Sequence, residues 1–406
     1  MIQGSLDCQV AVIGSGPRGL FSNAQAKFLR AICACVLLGM LVAGLWPFHA
    51  PRNAIRWLSE GRGLLFGKHG SIVSAKPFQT RAAQGNNSCS LEIWLEPSRV
   101  DSRAGGMILA YYLPDSQIAP FALRQFQAGL VLEHESRGSS VTKTEIYVDD
   151  ILSDLRPVLV TITSGEAGTA TYADGTLVKR VPNFAISSRD LKGELVVGNA
   201  PMTAYSWPGK IKGLAIYDRE LSAAEVSQGF VDRTEGGQSD SVGRQGVVAR
   251  YRFDEGNGNV VRNQVDSSTN LLIPERFFVL HPEFLERPWD EYRPGWRYWK
   301  NIAINVVGFI PLGFFFYAYF SQVRKCEYPT ALTIALGFAV SLTIEVLQAF
   351  LPTRDSGMTD LITNTFGTAV GLMVFRHKAV QAMLASRTTP QRVPDIPQVA
   401  ITSKGR

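Results

Sequence analysis

Cysteine, histidine and charge are all scarce in this chain of 406 residues. Its five cysteines are an odd number, and Cys33 and Cys35 fall inside one long apolar run. That leaves too little material for the disulfide framework of a small secreted scaffold. No zinc-ligand spacing occurs. The five histidines, His49, His69, His134, His281 and His377, are scattered. They give neither the paired histidines of a metalloprotease helix nor a partner for a G-x-S-x-G nucleophile turn, which is itself absent. Neither a cofactor nor a metal is therefore expected. Charged residues make up 19% of the chain and hydrophobic ones 46%, where an average soluble domain has about 25% charged residues. The balance of 41 Lys+Arg against 35 Asp+Glu, a net +6, is modest. Its cations flank apolar runs, which argues for membrane orientation and no nucleic-acid partner. The length exceeds what one ordinary domain needs, so a soluble part and a membrane part are expected.

Four apolar stretches stand out. "AICACVLLGMLVAGLWPFHAP" runs from Ala31 to Pro51, about 21 residues without a charge, enough to cross a hydrocarbon core of about 30 Å. It is too long for a signal peptide, and Phe48-His49-Ala50 lacks the small residue that cleavage needs. The second span is Asn301 to Val323, the third Pro329 to Pro352, and the fourth, Leu361 to Phe375, is short. Arg18, Lys27 and Arg30 precede the first, Arg324 and Lys325 separate the second and third, and Arg376, His377 and Lys378 follow the fourth. By the positive-inside rule all three clusters are cytoplasmic. Both termini are then cytoplasmic, and the long segment between spans one and two is external, as is the loop "LPTRDSGMTD".

That external segment reads as β, with short apolar or alternating pieces such as "SLEIWLEP", "TEIYVDD" and "GELVVGN" set between Gly, Pro, Asn and Asp. In "YADGTLVKR", Asp174-Gly175 suits a type I′ hairpin turn. The close spacing of the strands predicts an antiparallel sandwich. In "YDRELSAAEVSQGF", Ser222 and Glu225 form a capping box that should start one short surface helix.

"SLEIWLEP", "GELVVGN" and "WPGKIKGLAIYDRELSAAEV" resemble the laminin-G-like, concanavalin A-like jelly roll, with "ARYRFDEGNGNVVRN" a further similar piece. The resemblance implies a recognition module for glycan or protein ligands. "LWPF", "NVVGFIPLG", "IEVLQAFLPTR" and "DLITNTFGTAVG" resemble, in that order, the VanZ-like membrane proteins. That family takes its name from a teicoplanin-resistance determinant and is usually a compact bundle, whereas here a jelly roll interrupts it. The fold class expected is thus an α-helical membrane bundle of four transmembrane helices, with an all-β antiparallel jelly-roll sandwich inserted between helices 1 and 2. Its parts are a cytoplasmic segment 1–27, helix 1 at 28–51, the β domain at 62–275, helices 2–4 at 299–376, and a cytoplasmic tail at 377–406, rich in Pro, Thr and Arg and expected to be disordered. The location expected is the bacterial cytoplasmic membrane.

Charges between two such spans need a reason. Glu345 and Gln348 share one helix face, as do Asn301 with Asn305 and Asp360 with Asn364. At 1.5 Å per residue Glu345 lies roughly 9 Å below the Leu351-Pro352 turn, and Asn305 and Asn364 about 6 Å below their span ends. One external polar pocket follows, rimmed by Arg354. Its expected partners are membrane lipid and an envelope glycan or lipid-linked precursor. A buried carboxylate in a span is costly, so Glu345 and Asp360 are candidates for acid and base in a membrane-embedded enzyme. The competing reading is a scaffold, in which the amides bond across the bundle, Gly367 and Gly371 form a small-xxx-small contact, and Arg354 merely pairs with Asp355 or Asp360. Trp296, Tyr298 and Trp299 suit an interface belt.

Three catalytic signals fail on context. "VAVIGSGPRG" places Gly14, Gly16 and Gly19 as a dinucleotide fingerprint would, but an apolar span follows in place of a βαβ unit. "EIWLE" sets Glu92 and Glu96 on one strand face as in jelly-roll glucanases, yet Trp94 stands where a helping carboxylate would be. Asn86-Asn87-Ser88 fits a glycosylation sequon, which carries no weight beside bacterial resemblances.

Overall fold

The structure is a computed structural model that describes residues 23–59, 62–79, 87–101, 103–137, 141–234, 245–292 and 294–388. The glycine run at 14–19, Arg18, Asn86 and the tail beyond residue 388 lie outside the described residues. Among those described, seven α-helices follow in chain order: α1 (Asn23–Leu45), α2 (Ala223–Thr234), α3 (Pro288–Glu291), α4 (Trp296–Ala318), α5 (Pro329–Gln348), α6 (Met358–Arg376) and α7 (Lys378–Thr388). The chain divides into two compact units. A helical one is built on the residues up to Trp46, Leu285–Val346 and the residues from Gly357 on; a β-rich one is built on Pro47–Phe284 and Leu347–Ser356.

The β unit is a sandwich of two antiparallel sheets, as the strand spacing predicts. In one sheet the order is Ile55–Trp57, Leu64–Phe66, Gly209–Tyr217, Cys89–Pro97, Val158–Gly165, Gly168–Ala173 and Thr176–Val181, with Val247–Tyr251 paired to Gly209–Tyr217. The other runs Val260–Val261, Leu271–Leu272, Ile72–Ser74, Glu194–Val197, Gly105–Leu113, Ile118–Phe126, Gly129–Arg137 and Val141–Val148. Period-2 alternation supplies the core: Leu91, Ile93, Leu95, Val158, Val160 and Ile162 from the first sheet meet Tyr111, Phe121, Leu123, Leu130 and Leu132 from the second. Trp207, wholly buried, hydrogen-bonds its Nε1 to Gln125 Oε1 at 2.7 Å.

The hairpin forms as expected. Asp174 and Gly175, the two residues between paired strands, have φ of 49° and 79°, the left-handed pair that a type I′ turn requires. The capping box forms too: Glu225 Oε2 accepts from the Ser222 N–H at 2.9 Å, and Ser222 Oγ accepts from the Glu225 N–H at 3.3 Å. The helix it starts, α2, lays Val226 on an outer patch of Ala170, Tyr172, Ala215 and Tyr217. The ends of the unit are paired: Asn53 N–H donates to Glu275 O and Phe277 N–H to Pro51 O, both at 3.0 Å.

In the helical unit, α1, α4 with its π-helical extension through Val323, and α5 are long and apolar enough to cross a membrane. The fourth expected span, α6, has 19 residues but is not among them, because Thr359, Asp360, Thr363, Asn364, Thr365 and Thr368 lower its hydropathy. Apart from Thr359 in the first turn, its buried residues, Leu361, Asn364, Gly367, Thr368, Gly371, Leu372 and Phe375, form one stripe at helical spacing. Gly367 and Gly371 lie against the Val306 and Ile310 carbonyls of α4, where a Cβ would overlap backbone, and Gly313 lies likewise against Thr368. The two helices touch through their main chains at these positions, the close contact expected of a small-xxx-small pair. Phe314 and Tyr317 close around Phe375, with ring centroids 5.2 and 5.7 Å away. Leu29 and Cys33 of α1 join this cluster.

Candidate functional site

The polar residues of the helical unit collect at the start of α6. Its N-cap is Gly357, which has no side chain to cap with, so the free backbone donators of the first turn must find acceptors elsewhere. Glu345, in the last turn of α5 and only 1% exposed, accepts the Gly357 N–H at 2.9 Å. The carbonyl of Glu286 accepts from Met358 N–H at 2.9 Å, and Glu291, the last residue of α3, accepts from Thr359 N–H at 3.3 Å through Oε1. Asp360, in the first turn of α6, accepts from Asn305 Nδ2 of α4 at 2.6 Å. Three carboxylates thus face the positive end of one helix, where the macrodipole favours negative charge.

The residues picked from sequence separate into groups. Asn305 and Asp360 meet directly. Asn364 instead bonds α6 to α5, donating to Ser341 Oγ at 3.0 Å, while its buried Oδ1 has no partner among the described residues. Asn301 is exposed in the first turns of α4. Gln348 is buried and ends α5, its carbonyl accepting from Leu351 N–H at 2.8 Å; Arg354 is exposed, its N–H donating to Leu351 O at 2.9 Å. Both belong to the segment Leu347–Ser356 that groups with the β unit. Sequence reasoning missed Glu291 and Glu286. Neither lies in a span nor shares a helical repeat with Glu345, so only the chain's return near Gly357 reveals them. Of the aromatics, Trp296 and Trp299 are exposed and Tyr298 packs edge-on between Tyr292 and Trp299.

The two carboxylates of "EIWLE" are held as ion pairs. Glu92 lies on the outer face of its sheet, 3% exposed. It accepts from Tyr217 Oη at 2.9 Å and from Arg233 Nη2 of α2 at 2.8 Å. Burial, followed by the neighbouring Glu92 charge, pushes the Tyr217 phenol up to about 12. Glu96 accepts from Lys210 at 2.5 Å and Lys212 at 3.3 Å. Burial acts to raise its carboxyl, and the two lysines outweigh that and hold it below its ordinary range. A glycosidase needs one protonated and one free carboxyl facing a cleft, and Glu92 instead sits under a helix.

Together these units define a class: a protein with helices suited to a membrane and an all-β, lectin-like sandwich. Comparison with known families specifies it. Residues 249–381 match the VanZ/LLP1 family, and residues 70–227 match the concanavalin A-like lectin/glucanases superfamily. The chain therefore carries a VanZ-like domain and a concanavalin A-like domain, as the motifs suggest. No curated protein matches it. Among solved structures, a candidate carbohydrate-binding protein from Bacteroides ovatus is similar at 12% identity, covering 55% of this chain and 58% of that one, with a TM-score of 0.35. The receptor-binding domain of botulinum neurotoxin D is similar at 12% identity, with coverage of 46% and 47% and a TM-score of 0.34. The binding domain of Paraclostridial Mosquitocidal Protein 1 is similar at 13% identity, with coverage of 44% and 46% and a TM-score of 0.32. The chain spans about half the length of these structures.

Proposed function

We propose that the chain is a multi-pass protein of the bacterial cytoplasmic membrane that presents its β domain, residues 62–275, outside as a recognition module for envelope glycan or lipid-linked precursors. The observation that carries this reading is the order of parts: a concanavalin A-like sandwich stands between α1 and α4, two helices each long and apolar enough to anchor it. In this reading residues 28–51 and 299–376 form four spans, α6 being the fourth, with both termini cytoplasmic. α6 can cross despite its polar content because its glycine stripe packs on α4 and its threonines at 363, 365 and 368 bond back to carbonyls of their own helix. Reporters fused after Gly237 are expected outside, and reporters after Arg324 or Lys378 inside. An external tail would exclude four spans and make α6 re-entrant.

For the polar residues a specific observation favours binding or scaffolding over acid–base catalysis: Glu345 accepts a helix-terminal N–H, a structural task that needs an acceptor oxygen and no proton exchange. Glu345→Gln and Asp360→Asn, which keep packing and remove proton exchange at neutral pH, are expected to leave function largely intact. Arg354, in the loop after α5, is the residue best suited to an anionic head group. Arg354→Ala should abolish function in a normally inserted protein, with Arg354→Lys restoring only part of it, because an ammonium cannot make a guanidinium's bidentate contact. Equal loss on Glu345→Gln would instead support an enzyme.

A further inference from the structure

The β unit has an open groove of about 450 Å³ walled by Lys68, His69, Ser98, Arg99, Gly105 and Tyr205. Its volume falls in the range of small-molecule sites. Three stretches of main chain build it. His69 lies in a tight turn with φ of 68°, closed by the Gly70 N–H to Gly67 O bond at 3.0 Å. Ser98 N–H donates to Pro208 O at 3.3 Å, and Met107 N–H to Tyr205 O at 2.9 Å. Buried Gln125, which accepts from Trp207, donates to the Arg99 carbonyl at 2.8 Å. The base of the Arg99 side chain is therefore fixed from inside the core while its guanidinium stays exposed.

The groove's charge has one sign. Among the described residues no carboxylate lines it, and neither Lys68 nor Arg99 forms an ion pair. Arg99 uses one nitrogen, Nη2, on the Arg103 carbonyl at 3.0 Å, which leaves further donors of its fork. Burial, and then the adjacent Lys68 charge, hold the His69 imidazole below its usual range. It is neutral at pH 7, and the groove carries two cations. Tyr205, 41% exposed, sets its hydroxyl over Gly105, where even a Cβ would stand only 2.7 Å from it. One flat apolar ring thus lies beside two unpaired cations.

We propose that this groove binds an acidic saccharide, with a sugar face on the Tyr205 ring and its carboxylate, sulfate or phosphate group on Lys68 and Arg99. The proposal rests on the recognition reading above and narrows it to one site and one ligand class. Arg99 provides paired, planar donors that match an oxyanion, and Lys68 adds a point charge. Attraction of this kind at an exposed site weakens with salt.

The test uses the full chain in detergent micelles, with binding measured to an oligogalacturonate hexamer, a heparin-derived hexasaccharide, maltohexaose and inorganic phosphate, and to phosphatidylglycerol or phosphatidylcholine vesicles after reconstitution. At least one acidic oligosaccharide should bind ten-fold or more tighter than maltohexaose. Lys68→Ala and Arg99→Ala should each weaken it about ten-fold and the pair about a hundred-fold, a ten-fold step being 1.4 kcal/mol. Arg99→Lys should recover part of the loss, Tyr205→Ala should weaken the saccharide without changing phosphate, and Lys179→Ala on an outer strand should change nothing. Lys68, Arg99 and Tyr205 are exposed, so unchanged melting of their variants is expected and serves as the folding control. The proposal is overturned if the double variant binds like the wild type, or if only phosphatidylglycerol vesicles are retained, which would make the groove a lipid site. If maltohexaose binds wild type and double variant equally, glycan recognition stands and this groove is not its site. If no saccharide of either kind binds, the recognition reading falls with it.

Discussion

Glu92 in the sandwich and Glu345 in the helical unit are both nearly inaccessible, at 3% and 1% exposure, and each meets a different kind of donor. Glu92 has a cation, Arg233, brought by a helix that starts 131 residues later at Ala223 (223 − 92), and a phenol beside it. Glu345 has the N–H of a helix terminus. The choice follows the surroundings. At a sandwich face the Arg233 side chain keeps a quarter of its surface in solvent, so its own desolvation is partial. Within an apolar bundle a matching cation would itself need burial at a cost of several kcal/mol. A helix end supplies about half a positive charge with no second ion to desolvate. At the start of α6 a helix end thus supplies Glu345 with favourable charge of a kind that Arg233 supplies to Glu92.

Breaking the sandwich's arrangement should have the larger effect. Arg233→Ala leaves Glu92 buried without its cation and should cost about 3 kcal/mol, read as a drop in the melting temperature of the β-sheet signal. Glu92→Leu with Arg233→Met should recover most of that loss, since an apolar pair of similar volume needs no partner. Glu345→Ala strands the Gly357 N–H and should cost about 2 kcal/mol of helical-unit stability in detergent titration, while Glu345→Gln, whose carbonyl can still accept, should cost less than about 1. A cost for Gln as large as for Ala would mean that the charge, not the hydrogen bond, is needed. Gly371→Ala should cost about 1.5 kcal/mol through overlap with the Ile310 carbonyl, whereas Gly308→Ala, with nothing near its Cβ, should be neutral or stabilising.

The smallest effect concerns the capping box. Hydrogen bonds from Arg219 hold the Glu225 carboxyl down at about 2, against an ordinary 4.5. A carboxyl depressed on folding stabilises above its unfolded value and loses that contribution as pH falls through its folded one. The advantage of wild type over Glu225→Gln should therefore be full above pH 4.5, shrink between 4.5 and about 2, and vanish below. An advantage that survives at pH 2 would assign the cap to the neutral hydrogen bonds alone.

The features legible in sequence were those fixed by short spacing. Asp174-Gly175 announces its hairpin because few dipeptides accept two left-handed residues. Ser222 and Glu225 announce a helix start because the reciprocal cap spans three positions, and Gly367 and Gly371 share a face by period alone. What stayed hidden depends on long returns of the chain. Nothing near Glu345 in sequence indicates that Gly357 would need its carboxylate, or that Glu286 and Glu291 would complete the same helix end. Trp94 in the middle of "EIWLE" already argues against a catalytic pair, but the partner that Glu92 does have, Arg233, 141 positions away, cannot be foreseen from strand alternation. Counting residues down from the span ends sets Asn305 and Asn364 at one depth, yet Asn305 meets Asp360 and Asn364 turns to Ser341, because rise gives depth and not which neighbour a side chain faces.

The paired ends of the β unit bear on how such a chain could arise. Asn53 and Glu275 are already joined by a 3.0 Å hydrogen bond, so the domain enters and leaves at nearly one point. A gene segment encoding it could be spliced into, or cut out of, a loop between two helices without lengthening the gap that the loop must bridge. In that sense the sandwich is a cassette: a different module with equally adjacent ends could be exchanged at the same seam.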